Sequence, residues 1–389
     1  VENSLPAVLA EPGIYSLPPL VGKCFYGTQR FAGVVVEPYD LLDLRLARNI
    51  RFPRISIFRS SERQFSVLRF RRTYRRFLFL FLFFLFGEGI VNTNATSNND
   101  ILIDDSYVLK KIKLYRLGSG RNNVVQGVVI DNKRRNLYTL HMSGKPEKGV
   151  VNVFFIDEKS NQITAHSFQK PTDFIGHQGL TYDCNSGYLV SSTGEAFTSR
   201  GWFVTHFKYN HQAFPHDMKF TKVFDAPYKP HLSTMPTLTL DAKYLIVRSK
   251  LKTRELLRVY DTEKVDFRNS IDISSEENLE WFIDEGLTKD GYVLQAITAD
   301  NKYIYLLSGG KNRESKRLYI YTLTGKLIRK FNNVTIGKQD AIKSGKEKHW
   351  EPEGLAIDSK SKSLVIMYAL GDYKKRFAQL YYVPLDRLI

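Results

Sequence analysis

A chain of 389 residues, 43% hydrophobic and 25% charged, has the composition of a globular protein large enough for more than one domain. Its formal charge of +17 splits into +6 over residues 1–99 and +11 over residues 100–389, which points to an anionic partner or to a heavily solvated surface. The only cysteines are Cys24 and Cys184, with no CxxC or Cys/His cluster around either, which excludes a disulfide framework and a zinc-finger type of site.

Residues 1–66 form a basic segment without alternating strands. The first 99 residues hold twelve Arg against one Lys, and the first Met is Met142. This segment is not expected to be a folded domain. Residues 67–100 are different. Arg71-Arg72-Thr-Tyr-Arg75-Arg76 precedes the apolar run Phe77 to Phe86, and Gly87 to Ala95 leads into a polar Ser/Asn tract. That order of basic, apolar and small residues is the layout of a secretory signal. Ten helical residues reach roughly 15 Å, half a bilayer's hydrocarbon core, so no transmembrane span is expected. The 76 residues in front are too many for a signal's basic region. A translation start near Val67 resolves this; a natural N-terminal arm with an interfacial Phe/Leu patch is the other reading. Cleavage near Ala95 leaves one cysteine and a protein in the periplasm, the envelope or the medium.

From about residue 107 short alternating strands begin, separated by Gly, Asn, Asp and Lys turns. Five phrases recur: Gln126-Gly-Val-Val-Ile-Asp131, Gln178-Gly-Leu-Thr-Tyr-Asp183, Pro236-Thr-Leu-Thr-Leu-Asp241, Gln295-Ala-Ile-Thr-Ala-Asp300 and Glu353-Gly-Leu-Ala-Ile-Asp358, at intervals of 52, 58, 59 and 58 residues. Four strand-like runs follow the second and the fourth phrase starts. After Gln178 they are Gly179–Tyr182, Tyr188–Ser192, Trp202–Phe207 and Lys219–Phe224. After Gln295 they are Ala296–Ala299, Tyr303–Ser308, Arg317–Leu323 and Lys326–Phe331. Four antiparallel strands at such a period make a propeller blade. The strongest helical pattern, Ser274–Phe282, predicts a short helix between blades three and four. The last phrase leaves room for three strands only, Glu353–Ile357, Leu364–Ala369 and Gln379–Val383. The missing fourth is supplied by Val108–Tyr115, so an N-terminal strand at about 107–116 closes the ring and covers two open edges. The prediction is all-β: a five-bladed β-propeller of four-stranded antiparallel blades over residues 101–389.

The inner strand of each blade lines the central channel. Gln126, Gln178, Gln295 and Glu353 therefore form a polar ring, with Pro236 the odd member. Gln and Glu are not strand formers, so either they tie blade to blade or they present hydrogen-bonding groups to a hydroxylated ligand. His177 and the run Trp350-Glu351-Pro352-Glu353 stand beside the ring and add an imidazole, an aromatic plate and a second carboxylate. No catalytic residues are assigned: there is no GxSxG, and His216-Asp217 has no nucleophile in view. No metal site or cofactor is expected, since Gln and Pro stand where a cation would need carboxylates, although the two glutamates leave calcium as an alternative. Phosphate cradles and nucleic-acid reading motifs are absent. Cys184, in Asp183-Cys-Asn-Ser-Gly187, reads as an incidental thiol in an exposed turn.

Val125-Gln-Gly-Val-Val-Ile-Asp131 with Asn136-Leu-Tyr-Thr139, and Gly176-His-Gln-Gly-Leu-Thr-Tyr-Asp183, resemble the blade openings of a family of five-bladed propellers. That family includes helveticin-J-like bacteriocins, proteins annotated with teichoic-acid biosynthesis, and platforms of phage receptor-binding proteins. Glu351-Pro-Glu-Gly-Leu-Ala-Ile-Asp358 is also similar to lactonase-like and NHL-type repeats. The resemblance implies a module that binds a cell-envelope glycopolymer. The missing trimer-forming stem and additional receptor-binding domain, together with the signal-like segment, favour a secreted bacterial member over a phage one. The expectation is a monomeric, non-catalytic propeller that binds an anionic or hydroxyl-rich envelope polymer at its channel mouth, with no specific nucleic-acid partner. The alternatives are a lactonase-like or other small-molecule hydrolase using a cation near Glu353, and a protein-interaction propeller.

Overall fold

The computed structural model describes residues 101–114, 124–144, 146–157, 162–311 and 314–389. The expectations for residues 1–66, for the signal-like segment 67–100 and for Cys24 lie outside the described residues. Five sheets follow one another along the chain. Blade one holds β3 (Val124–Asp131), β4 (Asn136–Ser143), β5 (Lys148–Ile156) and β6 (Ile163–Phe168). Blade two holds β7 (Ile175–Tyr182), β8 (Leu189–Thr193), β9 (Phe203–Lys208) and β10 (His216–Lys222). Blade three holds β11 (Thr237–Leu238), β12 (Tyr244–Leu251), β13 (Arg254–Asp261) and β14 (Leu279–Phe282). Blade four holds β15 (Val293–Ala299), β16 (Tyr303–Gly309), β17 (Lys316–Thr322) and β18 (Leu327–Val334). Blade five holds β19 (Trp350–Asp358), β20 (Ser363–Leu370), β21 (Phe377–Pro384) and, from the other end of the chain, β2 (Lys110–Leu114). The ring closes as the strand count requires, with Lys110 opposite Tyr382 and Leu114 opposite Ala378.

The core is a set of slabs between neighbouring sheets. In β20, Leu364, Ile366, Tyr368 and Leu370 pack toward blade four, while Val365, Met367 and Ala369 pack toward blade one. In β16, Tyr305 and Leu307 face blade five and Ile304 and Leu306 face blade three. A middle strand is thus buried on both faces, and its sequence reads as an unbroken apolar run. Each buried Leu, Ile or Phe contributes about 1.5–3 kcal/mol.

Three details depart from expectation. Ser274–Phe282 is not a helix: residues 274–277 are turns and bends, and Leu279–Phe282 is the outer strand of blade three, paired with β13 from Val259 to Leu256. The edge of β13 needed a partner, and backbone pairing outweighed the local helical pattern. The short helix is instead α1 (Lys338–Ser344), between blades four and five. A two-residue strand, β1 (Leu102–Ile103), pairs in parallel with β18 and gives blade four a fifth strand. No helix among the described residues is long and apolar enough to cross a membrane.

Candidate functional site

The residues that open the phrases share a backbone device. The β3–β4 register slips between Val125 and Gly127, the β15–β16 register between Leu294 and Ala296, and the β19–β20 register between Pro352 and Gly354. In blade two the slip spans Ile175 to Leu180. Gln126, Gln295 and Glu353 are therefore the extra residues of β-bulges, and Gln178 lies in a longer unpaired stretch of β7; both devices re-aim a side chain out of the ladder. Here they aim at the channel axis. Gln178 accordingly has a φ of +65°. The residue after it is small because inner strands of adjacent blades nearly touch there. A Cβ on Gly179 would come within 2.5 Å of Met235 Cα, and one on Gly354 within 2.8 Å of Val128 Cγ1. Blade three lacks the bulge. Pro236 precedes an inner strand of two residues, and the backbone turns through Met235 at a φ of +43°.

The ring is closed in on itself. Its four side chains are 2–7% exposed. Gln178 donates an amide hydrogen to Gln295 Oε1, and Gln295 donates to Glu351 Oε1 at 3.2 Å. Gln126 Oε1 is buried without a partner among the described residues. The space enclosed by Gln126, Gln295 and Glu353 is about 10 Å³, room for about one water. It is a neck rather than an open mouth, and no sugar ring enters it.

Two carboxylates, two residues apart on β19, are pushed in opposite directions. Burial and the charge of Glu351 drive the Glu353 carboxyl well above the usual range. Burial also works against ionisation of Glu351, but His349 and the charges of Arg376 and Lys311 outweigh it and hold its carboxyl below the usual value. His349 Nε2 lies 3.3 Å from Glu351 Oε2. Glu351 keeps a quarter of its side chain exposed and is the polar group through which the neck meets solvent. His177 is half-buried nearby, with burial pushing its imidazole pKa down. Its carbonyl accepts a bond from Ser233. Trp350 is not an open plate. Its ring is 3% exposed, its N–H donates to Ile336 O at 3.0 Å, and Lys316 Nζ stands 3.8 Å from its centroid. The sequence missed His349, Arg376 and Lys311 as rim residues. They lie on loops that flank β19, and nothing in the phrases marks them.

At the other end of the channel the closing aspartates explain themselves. Asp131, Asp183, Asp241, Asp300 and Asp358 each accept the backbone N–H of the residue two positions on, at Lys133, Asn185, Lys243, Lys302 and Lys360. They cap the turn from the inner strand to the next. A cavity of about 200 Å³ opens there between all five inner strands, with Asp131, Tyr182, Thr239, Thr298 and Ile357 in its wall. Cys184 is exposed at its edge, donates to Leu240 O at 3.3 Å, and has its thiol pKa pushed up by desolvation and Asp183. Among the described residues no group of three or more His, Cys, Asp or Glu side chains could hold a metal ion.

The sequence model of the phage five-bladed β-propeller receptor-binding platform domain matches residues 188–382, from the start of β8 into β21. The chain belongs to that family. No curated protein matches. Among solved structures, TolB from Acinetobacter baumannii is 9% identical over 67% of this chain and 54% of its own, with a TM-score of 0.33. The platform chain thus spans about half the length of that TolB. The Cps50 (Swd1) β-propeller domain of Myceliophteria thermophila is 11% identical over 70% of this chain and 100% of its own, with a TM-score of 0.32. A chain of a nidogen/laminin complex is 10% identical over 69% and 82%, with a TM-score of 0.33.

Proposed function

We propose that this propeller is a non-catalytic recognition module whose neck-side face binds an anionic or hydroxyl-rich polymer of a cell envelope. The observation that carries this reading is membership of a receptor-binding platform family. The net +11 of residues 100–389 supports an anionic partner. Contact falls to the rim, to Glu351 and His177, because the neck admits only about one water; Gln126, Gln178, Gln295 and Glu353 hold the rim from below. The signal-like segment 67–100 makes the module an exported one, and kinship with helveticin-J-like and teichoic-acid-associated propellers belongs to the same proposal.

The test is retention of the full chain on envelope polymer fractions, acidic and neutral, immobilised side by side. Glu351→Gln should weaken retention on the neutral, hydroxyl-rich fractions several-fold, and His177→Ala should weaken it on either kind, while thermal unfolding stays within about 2 °C of wild type. Absence of retention on every fraction overturns the reading.

One observation favours a hydrolase instead: two carboxylates on one strand with opposite pKa displacements, the pattern of an acid and a base. A calcium-dependent rise in Tm that Glu353→Gln abolishes would support a cation near Glu353 and this second reading.

A further inference from the structure

At the end of the channel opposite the neck, the cavity of about 200 Å³ opens to solvent past the exposed Lys133, Cys184 and Ser359. Roughly 150 Å³ is enough for a benzene-sized molecule. Much of its wall is apolar, with Val129, Leu238, Leu240, Ala299 and Ile357. The charged residues of the wall are Asp131 and Lys133, both at the turn from β3 to β4.

The closing aspartates differ at their second oxygen. Asp183 Oδ2 accepts from Arg268 and Ser186, Asp300 Oδ2 from the Tyr305 hydroxyl at 2.8 Å, and Asp358 Oδ2 from Arg135 at 3.0 Å. Asp131 uses Oδ1 to accept the backbone N–H groups of Lys133 and Arg134, each at 3.1 Å. Its Oδ2 is buried without a hydrogen-bond partner among the described residues, on a residue only 2% exposed. The Tyr182 hydroxyl is near enough to feel this carboxylate, since burial and the Asp131 charge push its pKa up to about 12. No aligned hydrogen bond joins the two. A buried carboxylate oxygen without a donor is costly, and a charged donor compensates it best.

Lys133 presents the opposite chemistry beside it. Its ammonium group forms no ion pair among the described residues. Lys243, Lys302 and Lys360 hold the same turn position after Asp241, Asp300 and Asp358. Four of the five blades therefore place a lysine around this end of the channel, and its potential favours an anionic group. One wall of the cavity thus lacks a cationic donor and its rim lacks an anion.

We infer that this cavity is a binding site for a small zwitterion, an α-amino acid with an apolar side chain. Its ammonium group donates to Asp131 Oδ2, its carboxylate meets Lys133, and its side chain lies against Leu238, Leu240 and Ile357. An α-amino acid carries its two charges on one carbon, as the cavity carries their partners on one turn. A leucine-sized side chain covers the apolar wall, which glycine would leave bare. The site stands at the opposite end of the channel from the neck and does not depend on recognition there.

The test uses the full chain and calorimetry with leucine, glycine, 4-methylpentanoate, which lacks the ammonium group, and isopentylamine, which lacks the carboxylate. Leucine should bind, and each of the others should bind at least about tenfold more weakly. Lys133→Ala should weaken leucine binding about tenfold, and so should Asp131→Asn, which keeps the Oδ1 cap of the turn. Ser359→Trp, which sets an indole in the opening, should abolish it. Lys302→Ala, at the equivalent turn but outside the wall, should change it less than about twofold. Cys184 reports the location: leucine should slow its alkylation by N-ethylmaleimide, read by peptide mapping with Cys24 as internal reference. If Asp131→Asn does not fold, Lys133→Ala and Ser359→Trp still decide. No leucine binding by the wild type overturns the site. Leucine binding that survives Lys133→Ala and Ser359→Trp and leaves Cys184 alkylation unchanged overturns it as well. Equal binding of leucine and either half-molecule overturns the assignment of a zwitterion.

Discussion

Blade three and its four companions occupy equivalent places in the ring but are built differently inside. In the four, a Gln or Glu at the head of the inner strand is turned into the channel, and the buried faces mix apolar side chains with polar ones such as Thr139, Ser191, His206 and Lys316. Blade three has Pro236 at that point, an inner strand of two residues, and paired charges within the sheet. Arg248 grips Glu255 through two bonds of 2.7 and 2.9 Å, both side chains under a tenth exposed. Arg258 bonds Glu280 and reaches Val223 O in blade two, Ser274 O, Tyr228 and Tyr260. A short inner strand makes few ladder bonds, and the charged network supplies cross-links to blade two that the ladder does not. The lesson is that one slot in a repeat can be filled by axial amides or by lateral ion pairs.

The comparison breaks most visibly at Arg258. Arg258→Met should destabilise by about 3 kcal/mol, because it removes a buried guanidinium that bonds the Val223 and Ser274 carbonyls and the partly exposed Glu280 carboxylate. Thermal unfolding should fall by roughly 10 °C. A change under about 1 kcal/mol would mean that the network is peripheral to blade three.

A smaller effect of opposite sign is expected at Glu353. Its folded-state pKa is raised, so the folded protein holds a proton that the unfolded chain releases. Stability is then lost as pH rises past the ordinary glutamate value toward the raised one. Glu353→Gln removes this dependence. It should match wild type at pH 4 and be more stable by about 1–3 kcal/mol at pH 8, read by thermal melts across that range. Parallel melting curves at both pH values would show that the carboxyl is not held neutral.

The smallest effect separates members of the ring. Gln178→Ala removes a bonded amide and should cost about 1 kcal/mol by denaturant titration, whereas Gln126→Leu replaces a side chain whose oxygen has no partner and should cost less. The reverse order would mean that Gln126 holds a structural water.

The blade count and the split fifth blade were legible because a strand period of two and a repeat of 52–59 residues survive in the chain as plain spacing. The Ser274–Phe282 expectation failed for the complementary reason: local periodicity ignores an unpaired strand edge. The ring residues were picked out as atypical for strands, and they are atypical because they sit where the ladder is broken. His349 was not picked out, since a loop residue that meets the ring only in the folded chain leaves no pattern in the sequence.

Sequence alone determined the architecture: five inner strands, their order, and, in four of them, the residue that departs from the ladder. Tertiary structure decided what those residues face. A bulge exists only against a partner strand's register, and the width of a neck only where inner strands meet. That crowding, seen where Gly179 meets Met235 and Gly354 meets Val128, turned a ring of polar side chains into a plug and left the solvent-facing rim to the loops around it.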